Sequence, residues 1–367
     1  MMNKLKLFAF AGALLTFSAC KKEKLPAIDP QPNATTGVYV LCEGLYSVTT
    51  GSSASSITYF DMSTSIPQTD YFKKQNGIEL GVNANDLKQY GSKMYCVITG
   101  TKPEDKNSYV EVMSIATGKS LKRIPFSDGS KGFLPRTVTF YKNKAYVVGF
   151  DGYVSKIDTA GLTIESRIAV GGALDGSTIV NGKLYAANSN HPYYPNPNNS
   201  SVSVVDLSTF TKLGDIAVGF NPTRVAATAS GDIYVLTKGN YVDIPASLDK
   251  ISSVTDKKIG SNPVSLEYLN VTGTKGFVIG DYLDPYFKTL NITTGAIETN
   301  FVTDPTAVVS TPYGVTVNGL DNNVFVADAN NYGTEGKLFC FSLDGKKRFW
   351  FATGALPQSA VFKYSYK

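Results

Sequence analysis

Short apolar runs recur along the chain, separated by polar, glycine-rich stretches. Each run carries one aromatic residue flanked by smaller apolar ones. They are Val38-Tyr39-Val40, Met94-Tyr95-Cys96-Val97, Ala145-Tyr146-Val147-Val148, Leu184-Tyr185-Ala186, Ile233-Tyr234-Val235-Leu236, Gly276-Phe277-Val278-Ile279 and Val324-Phe325-Val326-Ala327. Runs this short, aromatic and β-branched, and bounded by turn formers, predict strands. The aromatic positions recur about every 48 residues, the period of a four-stranded propeller blade. A second strand follows each, at Ile57–Asp61, Tyr109–Met113, Tyr153–Asp158, Val202–Asp206, Leu248–Ile251, Phe287–Asn291 and Leu338–Phe341. Several end in Asp or Asn before a turn, as in Ile157-Asp158-Thr159. A third strand precedes each aromatic one, as Pro-x-x-apolar at Pro135, Pro222, Pro263–Leu266 and Pro312, and slightly longer at Pro357–Val361. Asn85–Leu87 and Asp175–Ile179 take the two remaining places. Proline at the first residue of a strand loses no ladder bond.

The expected fold is therefore all-β, a seven-bladed β-propeller over Gly37–Lys367. The strand at Tyr39 has no Pro-type strand before it, and the one at Pro357 has no aromatic strand after it. Pairing these two closes the ring and removes the open edges.

Ahead of the repeat, Met1–Ala19 has the charged, apolar and small-residue regions of an export signal. Ser18-Ala19-Cys20 makes it resemble a bacterial lipoprotein signal. The resemblance implies cleavage before Cys20 and a lipid anchor there, with a membrane as partner. Cys20–Thr36, proline-containing and without apolar periodicity, reads as a flexible tether.

Composition narrows the chemistry. The 367 residues hold one His, one Trp and four Cys against 22 Tyr and 20 Phe. One His excludes multi-His metal centres, and four scattered Cys exclude zinc ribbons. Buried thiols or one disulfide among Cys42, Cys96 and Cys340 are both compatible with the spacing. A net charge of +5, with Lys4 and Lys6 inside the signal, is too mild for a nucleic-acid partner.

The chain resembles the YncE-like seven-bladed propeller family. The resemblance rests on Gly37–Gly44 (GVYVLCEG), Ser203–Asp206, Ile216–Gly219 with Asn221-Pro222, and Val326–Gly336 (VADANNYGTEG). Cys42 departs from the family's usual Asn. Lipoproteins of this kind resemble Bacteroidetes surface proteins that capture corrinoids for a TonB-dependent outer-membrane transporter. The resemblance thus implies an outer-membrane, surface-exposed ligand binder rather than an enzyme.

In a propeller, the loops after each aromatic strand share one face with the loops joining blades. Six of the former are long here, and such loops vary freely on a rigid ring. They carry Tyr46, Asn188, Asn190, His191, Tyr193, Tyr194, Tyr241, Tyr282 and Tyr332. Tyrosine offers a flat body with a polar tip, and Asn both donates and accepts, which suits a corrinoid or a glycan. The same Asn residues also serve as turn formers. Arg136, Asp175, Arg224, Asn262, Tyr313 and Gln358 are expected to line the central funnel. Arg136 and Arg224 follow Pro at nearly equivalent positions, to meet a ligand or a neighbouring carboxylate. No cofactor is implied, although Asp281, Asp284 and Asp328–Asn331 gather oxygens of the kind that bind Ca²⁺. The alternatives are a propeller enzyme of lyase or lactonase type and a scaffold for glycans or proteins.

Overall fold

Seven four-stranded antiparallel sheets surround a central axis in a computed structural model that describes residues 31–273 and 275–367. The signal, Cys20 and the tether up to residue 30 lie outside the described residues. In blade 2 the strands run outward from the axis as Ala84–Tyr90, Lys93–Ile98, Tyr109–Ser114 and Ser120–Pro125. Blades 3 to 6 repeat that order from Pro135, Ala173, Pro222 and Leu266, and blade 7 spans Pro312–Gly354. Blade 1 is composite. Its inner strand is Pro357–Tyr366, followed outward by Pro32–Cys42, Ser56–Asp61 and Ile66–Gln68. The predicted closure by both chain ends is therefore present.

Several boundaries differ from the sequence reading, and two of them bear on the ring and the site. The first strand begins at Pro32, ahead of Gly37, because Pro32 and Ala34 find partners in Tyr366 and Ser365. The inner strand of blade 6 begins at Leu266, so Pro263 belongs to the loop before it. The pattern also missed a short helix, Tyr71–Asn76, which buries Phe72 between blades 1 and 2.

Strand alternation explains the aromatic period. Each aromatic marker turns toward the following blade, while its apolar neighbours turn toward the preceding one. Tyr95 packs between blades 2 and 3, whereas Met94 and Cys96 pack between blades 1 and 2. Phe325 likewise packs against blade 1, with Val324 and Val326 against blade 6. The core is thus seven apolar interfaces, one between each pair of blades. Some tyrosine hydroxyls also reach the outer turn of the next blade. Tyr39 donates to the Ile115 carbonyl (2.9 Å), Tyr234 to that of Ile292 (3.1 Å) and Tyr185 to Asp256 (2.6 Å). The strand-end Asp residues behave as the turn chemistry predicts. Asp206 Oδ1 accepts the backbone N–H of Ser208 and Thr209, and Asp61 does the same for Ser63 and Thr64.

Outer strands are held by a polar cross-strand pair in four consecutive blades. Arg123 donates to buried Glu111 (2.7 Å), Arg167 to Ser155 (2.9 Å), Ser203 to Asp215 (2.7 Å) and Ser261 to Asp249 (2.6 Å). Cys42, Cys96 and Cys340 are buried and unpaired, and burial pushes the Cys42 thiol up to about 11. Trp350 lies on an outer strand and is 51% exposed.

If stability resides between blades, Phe277→Ala should cost about 3–5 kcal/mol. Trp350→Ala should cost under about 1 kcal/mol. Denaturant midpoints at constant slope check both, and equal losses would contradict the assignment.

Candidate functional site

Every inner strand is irregular at the same end. The pairing register shifts between Pro357 and Ser359, Ala84 and Asp86, Pro135 and Thr137, Leu174 and Ser177, Pro222 and Arg224, Leu266 and Tyr268, and Pro312 and Gly314. A β-bulge inserts an unpaired residue and re-aims its side chain. The inserted residues are Gln358, Asn85, Arg136, Asp175 with Gly176, Thr223, Glu267 and Tyr313. All of them line one axial cavity of about 1180 Å³. This end is called the upper face; it also holds the loops that join blades and those after the second strands.

Most polar groups of this ring are already paired. Glu43 Oε2 accepts the Tyr313 hydroxyl and the Gln358 amide, each at 2.8 Å. Burial, with the Glu43 charge beside it, holds the Tyr313 phenol far above its usual range. Arg136 donates Nε–H to Asp175 (2.9 Å) and Nη1–H to Asn85 Oδ1. Lys238 pairs with Glu267 (2.7 Å), and burial lowers its pKa. Arg224 donates Nε–H to the Glu267 carbonyl (3.3 Å), with its guanidinium 4.2 Å above the Tyr268 ring.

Five of the twelve proposed ligand residues line this cavity: Arg136, Arg224, Tyr282, Tyr313 and Tyr332. Tyr282 and Tyr332 stand at the rim, 72% and 53% exposed, and Tyr332 meets the Tyr313 ring edge-on at 6.4 Å. His191 sits one layer back. It stacks on Phe150 (4.1 Å), whose ring also carries the Arg136 guanidinium (4.7 Å). Burial, then the positive charge of Arg136, pushes its pKa down to about 4 against the opposing pull of Asp175. Tyr193 leans on His191 at 5.5 Å, and Tyr46, Asn190 and Tyr241 point outward, exposed.

Three expectations need correcting. Asn188 is fully buried and gives its amide hydrogens to Ser201 and Ser203, so it braces blade 4. Tyr194 packs on Leu134, Phe150 and Ala173, and its hydroxyl is spent on the Gly132 carbonyl (3.0 Å). Asn262 lies on an outer strand and donates to the Gly295 carbonyl; Glu267 holds the blade 6 place in the ring. Arg136 and Arg224 are also not equivalent. Arg136 is the inserted residue of its bulge, whereas Thr223 is inserted in blade 5 and Arg224 follows it. Sequence reasoning missed Glu43, Asn85, Lys238 and Glu267. The residue right after the strand-opening Pro is the inserted one in blades 1, 3, 5 and 7, but blades 2 and 6 open without Pro, and Glu43 and Lys238 lie beyond second strands, so that signal reaches none of the four.

The oxygen-rich loops are used internally. Asp281 Oδ1 accepts the backbone N–H of Leu283 and Asp284, and Asp328 accepts those of Ser310, Thr311 and Asn330. Among the described residues, no three His, Cys, Asp or Glu side chains gather as a metal-binding group.

No family model and no curated protein matches the chain. Solved structures do match. A quinoprotein alcohol dehydrogenase-like protein from Bacteroides thetaiotaomicron has a TM-score of 0.64 at 14% identity, over 89% of this chain and 78% of its own. The dihydro-heme d1 dehydrogenase NirN in complex with DHE gives 0.56 at 10% identity, over 88% and 68%. The hydrazine synthase of Kuenenia stuttgartiensis gives 0.51 at 13% identity, over 69% and 74%. At such identities the likeness shows the propeller fold.

The single histidine makes its environment measurable. Between the ordinary range near 6.5 and about 4, the unfolded chain takes up a proton that the folded chain refuses. His191 therefore withdraws stability as pH falls through that window. Its lone imidazole resonance should titrate near 4. His191→Asn should lose less stability than the parent between pH 7 and pH 5. An imidazole that titrates near 6.5 would contradict the stacked placement.

Proposed function

We propose that the chain is a lipid-anchored, surface-exposed binding protein of the outer membrane. In this reading it captures a nutrient, a corrinoid by preference, at the upper face and passes it to an outer-membrane transporter. The observation that carries the binding role is the axial cavity itself, about 1180 Å³ with tyrosines at its rim. That volume is at or above the upper end for small-molecule sites, so it suits a bulky ligand. The corrinoid preference and the transporter rest on the sequence resemblance, and the anchor rests on the Ser18-Ala19-Cys20 signal.

Two features favour binding over catalysis. The carboxylates of Glu43, Asp175 and Glu267 each hold a neighbour's donor, so the ring is a set of braced pairs. Rim tyrosines supply rigid contact area at low entropic cost. The direction of the tether also fits. Gln31 meets Lys367 at the lower face, so the chain toward Cys20 leaves from the side opposite the rim tyrosines.

Calorimetric titration with cyanocobalamin tests this reading. Micromolar or tighter binding is expected. Changing Tyr282 and Tyr332 together to Ala should weaken it about tenfold or more, with the melting temperature little changed. Absence of heat at micromolar concentrations ends the corrinoid preference. Unchanged affinity in the double variant moves the site away from the rim.

A further inference from the structure

We infer that Arg224 is the anchor for an oxyanion, a phosphate or carboxylate group, carried by the ligand of this cavity. The inference deepens the proposed binding role and rests on the same site.

Four cationic side chains line the cavity: Lys88, Arg136, Arg224 and Lys238. Three have a carboxylate. Lys88 pairs with Asp86 (3.0 Å), Arg136 with Asp175 (2.9 Å) and Lys238 with Glu267 (2.7 Å). Among the described residues, Arg224 has none. Among the described residues only its Nε–H finds an acceptor, the Glu267 carbonyl, and its two Nη groups find none. The nearby carboxylates are committed elsewhere, Glu267 to Lys238 and Asp281 to backbone N–H groups.

The guanidinium is also held in place. Tyr268 lies under its plane at 4.2 Å, and the Nε–H bond fixes rotation in that plane. Arg224 is itself exposed, so its Nη groups face water in the open part of the cavity; held by the ring and the carbonyl, it loses less ordering entropy when a ligand arrives. Arginine stays ionised at any accessible pH, and its fork matches a carboxylate or phosphate with two parallel N–H···O bonds. The braced cations cannot offer this without breaking an existing pair. Arg224 thus sets the charge requirement, while the rim tyrosines meet the flat or apolar part of the same molecule.

The test uses simple anions, so it does not depend on the identity of the nutrient. Inorganic phosphate and acetate are titrated separately into the whole chain, and arginine Nε–H resonances are followed by NMR. The chain has five arginines, so comparison with Arg224→Gln assigns the signal. Saturable movement of the Arg224 signal by either anion is the expected result, with affinity, followed in all variants through backbone amide shifts, lowered about tenfold or more in Arg224→Gln. Tighter binding of one anion assigns the group as phosphate or carboxylate. Arg224→Lys, which keeps the charge without the fork, should recover only part of the affinity and guards against a folding artefact. No movement with either anion, or equal affinity in Arg224→Gln, overturns the inference. Absence of cyanocobalamin binding alongside a positive anion result defeats the corrinoid preference and leaves Arg224 as the anchor.

Discussion

The structure depends on the burial of both faces of every sheet against neighbouring blades. A four-stranded sheet with apolar residues on both sides cannot leave either face in water. Stacking blades around an axis meets that requirement for each face in turn, and closing the ring leaves no terminal blade exposed. The alternation seen at Tyr95 makes this possible from one strand, with the ring sent forward and the small neighbours sent back. Because each interface is shared, a defect in one blade loosens two. That coupling explains why the hydroxyls of Tyr39, Tyr185 and Tyr234 latch onto the next blade rather than onto their own.

Stacking alone would produce a scaffold without a site. The bulges provide the site. Each replaces regular pairing at the upper end of an inner strand, and together they aim one residue per blade at the axis. The chemistry there is mixed: Gln358, Asn85, Arg136, Asp175, Thr223, Glu267 and Tyr313. These groups are half-buried or exposed, and most of them are paired, several across blades, as Arg136 is by Asp175 and Tyr313 by Glu43. The polar network therefore also reports on the mutual placement of blades.

The fold was legible because its determinants repeat. An aromatic wedge is needed at each of seven interfaces, and it leaves a period in the sequence. The closing pair was legible as the two strands left over. The site was less legible because one inserted residue leaves no period. Arg136 and Arg224 look equivalent after their prolines, yet Arg136 is one residue past its proline and Arg224 two, and only the first place is the inserted one. Blade 6 misled for a related reason, since its proline precedes the strand by three residues and counting from Pro263 does not reach Glu267. Asn188 and Tyr194 have the residue types of a ligand contact, but Ser201, Ser203 and Gly132 claim them. The outer cross-strand pairs went unread because their chemistry changes from blade to blade, Glu with Arg in one and Asp with Ser in another.

The shared first blade also dictates an order of assembly. Thr36 donates to the Lys363 carbonyl across 327 residues of sequence. Closing so long a loop directly in an open chain costs about 4 kcal/mol more than forming a tight hairpin. The cost falls once the intervening blades have stacked and brought the two ends together. The strand at Pro32–Cys42 is therefore completed last, by Pro357–Tyr366. Until those residues emerge, Val38 and Val40 lack their full set of neighbours and the ring stays open. A chain cut short before Pro357 would thus hold seven blades' worth of aromatic wedges and no means of closing the circle.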